Sequence, residues 1–334
     1  MASHISLEIL STNDEHEELF NFIENAVDGT IFHHPTFLSY HDRSKFPEPQ
    51  YSVTHLLFRE DNRIIGFLPG IINHEEKKKR FDSPYGASFG GLITIDLSFE
   101  KYDRMVDMTL QYLTEEKEVS EINITPPPRI YSGQNMNDYI EYIYLSKGYR
   151  IAKSELAIAA RVLQERDFPE KILKDRVKRF VRQAEKLGLQ WKISEDVETA
   201  YPIIEENQRK FHKKPTHSLA ELKTIVDLFP GRILQFLAYA EDIPIAAITL
   251  ILCNKHVAFS FYISHLEHYS SYRPVDFLFH AVLIWLKEHH YTYVDFGPST
   301  FGYMPHRSLI FFKEGFGGKG IIKHFYRYEV DAKQ

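Results

Sequence analysis

The sequence predicts an α/β (α+β) protein made of one unit written twice, each copy carrying a mixed, largely antiparallel sheet. Three observations predict it. At 334 residues the chain exceeds what a single hydrophobic core comfortably serves, which favours two domains of about 150 residues. Hydrophobic residues make up 43% of the chain and aromatics 14%, enough for two cores and too much for a disordered polymer. The third observation is an internal repeat in the order of elements, the signature of a duplicated unit.

The repeat can be followed element by element. THLLFREDNRIIGFLPGII (54–72) reads as strand, tight turn at Asp61-Asn62, strand, and LQFLAYAEDIPIAAITLIL (234–252) has the same shape around Glu241-Asp242. Amphipathic helices follow, YDRMVDMTLQYLTEEK (102–117) and VDFLFHAVLIWLKEHH (275–290). Next come the short strands EINI (121–124) and YVDF (293–296), then the aromatic-and-glycine turns IYLSKGY (143–149) and FFKEGF (311–316). The offset between copies falls from 180 (54 to 234) through 172 (121 to 293) to 167 (149 to 316), as loops of unequal length produce. The expected domains are therefore 1–160 and 161–334, with the last strand able to pack back on the first.

Composition narrows the function. A net charge of −6 argues against a general nucleic-acid binder. The single cysteine, Cys253, lies in the apolar run IPIAAITLILC and reads as a buried thiol. MASHISLEILSTNDEHEELF lacks a basic-then-apolar leader pattern, and no apolar run approaches the roughly 20 residues of a membrane helix, so a soluble cytoplasmic protein is expected. The histidine pairs in HLEH (265–268) and EHHY (288–291) have no H-E-x-x-H or Cys partners, so no metal is expected. Ser-His-Asp hydrolysis has no G-x-S-x-G elbow. LIFFKEGFGG (309–318) is not a phosphate loop, because Lys313 stands where the first glycine would be needed.

Two features go beyond the repeat. EKILKDRVKRFVRQAEKLG (170–188) is a basic helix with an apolar stripe of Ile172, Val177, Phe180, Val181 and Ala184; it is either a solvated face or a surface for a polyanion such as tRNA. Lys313 aligns with Ser146 of the first copy, so the shared fold is not expected to need the lysine and a role in chemistry is open to it. A lysine beside phenylalanine sits in a low-dielectric setting where its charge acts strongly on an oxyanion. Asp295, at the end of YVDFG, is a proton acceptor, a residue that fixes a neighbouring donor, or a structural strand end.

These residues resemble a known family. IIEENQRKFHKK, a strand hairpin, AFSFYISHLEHYSSYRPVDFLFHAVLIWLKEHHYTYVDFG and SLIFFKEGFGG follow one another in the order seen in Fem-type (FemABX-like) aminoacyl transferases, which have two tandem GNAT-like domains. RVKRFVRQAEKLGLQW resembles that family's Arg-rich helix, and FHHPTFLSYH and DSPYGASFGGL are similar to its opening segment and substrate loop. The resemblance implies transfer of an aminoacyl group from aminoacyl-tRNA to an amine of a cell-envelope precursor such as that of peptidoglycan, or of a small molecule. Because only the second copy has the lysine, the first domain is expected to recognise the acceptor and the second to be catalytic. Lys313, with Phe312 and Asp295, would form the catalytic group. Arg209, Tyr262, His41, Tyr85 and Arg273 would bind substrate, and Arg176, Arg179 and Arg182 would bind tRNA. The acceptor would lie between the halves.

The chain departs from the family at Phe37 and His41, where a tryptophan and a phosphate-binding lysine are usual, and it lacks the family's long two-helix insertion. No cofactor is expected beyond aminoacyl-tRNA as donor substrate, with a CoA thioester as the alternative. GNAT enzymes that use CoA cradle its pyrophosphate on a glycine-containing turn opening a helix. The equivalent SSYRPVDFL (270–278) has Arg273 but no glycine, and Pro274 removes an N–H. Two other readings remain: an acetyl- or acyl-CoA-dependent N-acyltransferase acting on an amino sugar or polysaccharide precursor, and a non-catalytic ligand-binding relative.

Overall fold

A computed structural model describes residues 4–330 apart from 42–44, 75–77, 134 and 136. The chain divides into two compact units, the first holding residues up to Ser154 and from Ile322 onward, the second Glu155–Ile321.

The first unit contains β1 (Ile5–Leu10), α1 (Glu17–Asn25), α2 (Pro35–Leu38), β2 (Tyr51–Val53), β3 (His55–Glu60), β4 (Arg63–Leu68), β5 (Ile71–Asn73), β6 (Arg80–Ser83), β7 (Ile93–Thr94), α3 (Phe99–Gln111), β8 (Glu121–Ile124), α4 (Tyr139–Ser146) and the start of β9 (Arg150–Arg161). The second has the rest of β9, then α5 (Asp175–Lys186), β10 (Gln190–Ser194), α6 (Val197–Arg209), α7 (Leu219–Leu228), β11 (Ile233–Ala240), β12 (Ile243–Leu252), β13 (Val257–His265), α8 (Pro274–Glu288), β14 (Tyr293–Pro298), β15 (Thr300–Phe301), β16 (Met304–Pro305), α9 (Arg307–Glu314) and the start of β17 (Lys319–Glu329).

Both expected hairpins form. In β3–β4 the turn residues Asp61 and Asn62 have φ of 47° and 66°, the left-handed pair that a two-residue hairpin requires. In β11–β12 Glu241 has φ 55°. The amphipathic helices are α3, which runs on into a π-helical turn over Tyr112–Glu116, and α8.

In the first unit, alternate residues of the β3–β4 hairpin serve opposite faces. Leu56, Phe58 and Ile65 pack with Tyr102, Met105 and Val106 of α3, whereas Leu57, Ile64 and Phe67 pack with Leu19, Phe22 and Ile23 of α1. The second unit repeats this arrangement. Phe236 and Ile248 meet α5 and α8 through Val177, Val181, Leu278, Phe279 and Val282, while Leu237, Ala247 and Tyr262 meet α6 and α7 through Ala200, Ile203, Ile204 and Leu222. Helix starts are fixed by side chains: Asp196 accepts from the Glu198 N–H, and Ser218 and Glu221 form a capping box.

The duplication is visible in strand pairing. β8 is parallel to β6 and antiparallel to β17, and β14 is parallel to β13 and antiparallel to β9. β9 follows the first copy yet pairs with β14 of the second unit, and β17 follows the second copy yet pairs with β8 of the first. Each unit is thus completed by the strand that ends the other copy. The division expected at 160/161 falls inside β9, whose last seven residues, 155–161, belong to the second unit.

Candidate active site

The second unit has an opening in its sheet. β13 and β14 pair only from Val257–Phe259 to Tyr293–Asp295. Beyond these residues β13 continues to His265 beside β12, and β14 bends at Gly297, which has φ 72° with the Phe259 ring 3.0 Å from where a Cβ would stand. At this carboxyl end of the parallel pair, the usual place for ligand clefts in such sheets, lies a cavity of about 680 Å³.

Four elements supply most of its lining. Ile263 and His265 project from β13, and Pro274, Val275 and Asp276 form the first turn of α8. His306, Ser308, Leu309 and Phe312 come from the start and inner face of α9, while Asn207 and Gln208 close it from the end of α6. Period-two alternation explains which β13 residues take part: Ile263 and His265 reach the cavity, and Tyr262 beside Ile263 points into the opposite core.

Asp276 is the unusual member. It is 9% exposed, and burial pushes its carboxyl up to about 6, against a smaller opposing effect of Arg273 and Arg176. Among the described residues no cation lies within ion-pair distance of it and no side chain hydrogen-bonds to it. His265 Nε2 lies 3.1 Å from Ser270 Oγ; burial, then the Lys210 charge, holds this imidazole below its ordinary pKa. His306 Nδ1 accepts from the Leu309 N–H at 3.3 Å, so a neutral ring carries its proton on Nε2.

Arg273, Lys213 and Phe301 of the lining belong to a set of cation–ring pairs. Arg176 of α5 lies 4.0 Å over Phe311 and donates to that residue's carbonyl. Arg273 lies 4.2 Å over Phe180, with Arg179 5.4 Å from the same ring, and Lys213 lies 5.2 Å over Phe301. Phe301, Phe311 and Phe211 are well exposed, as is Tyr303 at the tip of the β15–β16 hairpin. Arg182, farther along α5, bonds the Lys178 carbonyl of its own helix at 3.2 Å.

Lys313 is placed differently from the expectation. It is 1% exposed, and Nζ donates to the Gly297 carbonyl at 2.8 Å, the Pro298 carbonyl at 2.9 Å and Ser299 Oγ at 2.9 Å. All three ammonium protons are committed to the end of β14, and the residue does not line the cavity. The aligned Ser146 merely bonds the Ile143 carbonyl of its own helix at 3.0 Å. In the second copy Lys313 ties α9, with its cavity-lining Phe312, to the β14 bend. Burial depresses its pKa to about 8, against the pull of Asp295. Asp295 is itself 1% exposed and accepts from the Gly297 N–H at 2.7 Å, which shapes the same bend.

The other expected site residues divide. Arg273 and Phe312 line the cavity, and Arg176 and Arg179 stack on Phe311 and Phe180. Tyr262 is 4% exposed, and its hydroxyl accepts from the His217 N–H at 3.1 Å, within the core beneath α6 and α7. Arg209 stands outward on α6, its side chain 74% exposed and 3.7 Å from Glu205. In the first unit, His41 Nε2 lies 3.0 Å from the Gly86 carbonyl, and Tyr85 is buried with its hydroxyl donating to Asn13 at 2.7 Å. Asp276, His265 and His306 escaped the sequence reading, because an acid in the first turn of a helix is ordinary and histidines are numerous. Among the described residues no group of three or more His, Cys, Asp or Glu is placed to hold a metal, and no helix is long and apolar enough to cross a membrane.

Comparison with known proteins agrees with this architecture. No curated protein sequence matches the chain. Residues 173–304 match the family described as an Acetyltransferase (GNAT) domain. The crystal structure of FemX superposes with a TM-score of 0.71 at 12% identity, covering 97% of this chain and 98% of that one. L-PGS from Bacillus licheniformis gives 0.61 at 11% identity, covering 97% and 95%. A tandem GNAT protein from the clavulanic acid biosynthesis pathway gives 0.53 at 11% identity, covering 98% and 100%. The chain thus shares its fold over nearly its whole length with FemX and with a tandem GNAT protein, and its second unit carries the segment that matches the GNAT acetyltransferase domain.

Proposed function

We propose that this protein is an acyltransferase that moves an aminoacyl group from the 3′ end of an aminoacyl-tRNA to an amine, with the donor's acyl end in the cavity of the second unit. The observation that carries the donor assignment is the set of cation–ring pairs that begins in the cavity lining with Arg273, Lys213 and Phe301 and extends to Arg176 on Phe311 and Arg179 on Phe180. Single-stranded nucleic-acid ends bind surfaces of this composition, bases stacking on aromatics while cations meet phosphates. The likeness to FemX and the family resemblance in the sequence support the same reading.

Acyl-CoA suits the site less well. Arg273, the N-cap of α8, has φ 58°, Pro274 at the first helical position has no N–H, and no glycine opens the turn, so the backbone donors that hold a pyrophosphate are not assembled there.

In the proposed reaction the acceptor nitrogen bonds the ester carbonyl carbon, the bond to the ribose oxygen breaks, and the proton lost by the amine ends on that oxygen. An ester and a neutral amine need little acid-base help, so positioning and oxyanion stabilisation are the main tasks. The Asn207 and Gln208 amides, Ser308 and His306 present polar groups to the cavity for this purpose. Lys313 acts as a positioning residue, holding α9 against β14.

The test is incubation with a pool of tRNA charged with labelled amino acids and, separately, with labelled acetyl-CoA, each beside a panel of small primary amines. Label should leave tRNA above the enzyme-free rate and stay on acetyl-CoA. The opposite pattern would replace this reading by the CoA-dependent one.

A further inference from the structure

The cavity contains a carboxylate whose only hydrogen-bond donor among the described residues is its own backbone N–H. Asp276 is 9% exposed, faces the cavity from the first turn of α8, and among the described residues has no ion-pair or side-chain hydrogen-bond partner. Helix geometry alone does not explain it, since an acid that merely favours a helix start can remain in solvent. The cavity it faces has a mixed wall, with Val275, Ile263, Leu309 and Phe312 apolar and Asn207, Gln208, His306 and Ser308 polar. Burying a carboxylate in such a place costs free energy unless a cation or donor arrives. Arg273 and Arg176 do not fill that role, because each is stacked on a ring. Their combined influence on the carboxyl is outweighed by its burial.

We propose that Asp276 receives the free α-ammonium group of the donor's aminoacyl moiety, with an apolar amino-acid side chain against Ile263, Leu309 and Phe312. The inference rests on the aminoacyl-donor reading and names the part of the donor that is recognised. The α-ammonium stands one carbon from the ester carbonyl, so anchoring it fixes that carbonyl relative to the polar groups of α6 and α9. An N-acylated amino acid lacks the charge and adds bulk where the carboxylate sits, so blocked donors are excluded. A charge-assisted contact in a buried site discriminates about tenfold or more between ligands with and without the ammonium.

The experiment is calorimetric or NMR titration of the full chain with L-leucinamide, N-acetyl-L-leucinamide and 4-methylpentanamide, which share a side chain and carboxamide and differ only at the amine. Wild type should bind L-leucinamide at least about tenfold more tightly than the other two. Asp276→Asn, close to isosteric, should bind all three weakly and alike. Equal binding of the three by wild type, a preference that persists in Asp276→Asn, or no saturable binding of L-leucinamide at about 10 mM would each overturn the proposal. The wild-type comparison stands even if the variant fails to fold. Because the titration reads ammonium recognition without transfer, its failure leaves the tRNA-donor reading intact, and a negative tRNA incubation leaves the ammonium site intact.

Discussion

The three oxygens around Lys313 Nζ set the cost of losing it. Replacing Lys313 by Met strands the Gly297 and Pro298 carbonyls and Ser299 Oγ in a buried site. Partly offset by the removal of a desolvated charge, the loss should destabilise the second unit by about 1–3 kcal/mol, read as a lower urea midpoint. A change below about 0.5 kcal/mol would show that the clamp is dispensable. The pH dependence has a definite sign. With a folded pKa of about 8 against 10.5 for an ordinary lysine, the unfolded chain binds more protons between those values. Stability should therefore rise with pH from about 8 to about 10.5 in wild type relative to Lys313→Met, and a flat difference over that window would contradict the depressed pKa.

At the scale of elements, α5 has a task in the fold and, in the proposed function, a second one on its exposed face. Arg176 bonds the Phe311 carbonyl and lies 2.5 Å from where a Cβ on Gly315 would be, so it helps to seat α9. Arg179 and Arg182 are exposed. The double variant Arg179→Gln, Arg182→Gln should keep the fold yet weaken tRNA binding. Its log–log salt slope should flatten by about 0.7 for each single-strand phosphate that no longer meets an arginine. An unchanged slope would move the tRNA away from this helix. The elements themselves were legible in the sequence: β8 occupies the expected 121–124, and the turn at Asp61-Asn62 has the backbone its residues imply. Those readings rest on local chemistry, namely period-two and period-3.6 patterning and turn residues that tolerate positive φ. The site was legible only where neighbours in sequence are also neighbours in the cavity, as at Arg273 and Phe312. Tyr262 and Ile263 show the limit, since one residue of strand register decides which of them lines the cavity, and Asp276 looks like any helix-start acid until the fold buries it.

For the whole molecule, the exchange of closing strands makes the C-terminus a structural part of the first unit. β17 supplies Tyr326, 1% exposed, to the core that contains Tyr144, Ile122 and Met105, and residues Tyr326–Glu329 pair with the whole of β8. Arg327 also donates to Asn123, and Lys323 donates to the Ser88 carbonyl at 2.9 Å. The second unit is closed instead by β9, through Ala157–Arg161 against Tyr293–Pro298. Tyr326→Ala removes a large side chain from a packed core and should cost the first unit about 3–5 kcal/mol, by analogy with other aromatic truncations. Its effect should be localised by the topology. Hydrogen exchange followed by mass spectrometry should show faster exchange across β8 and α3, although the substitution lies more than 200 residues away in sequence from both, while α8 and β12 keep their protection. Uniform loss of protection in both units would mean that they unfold as one, and loss confined to 319–330 would mean that β17 only decorates a first unit able to close without it.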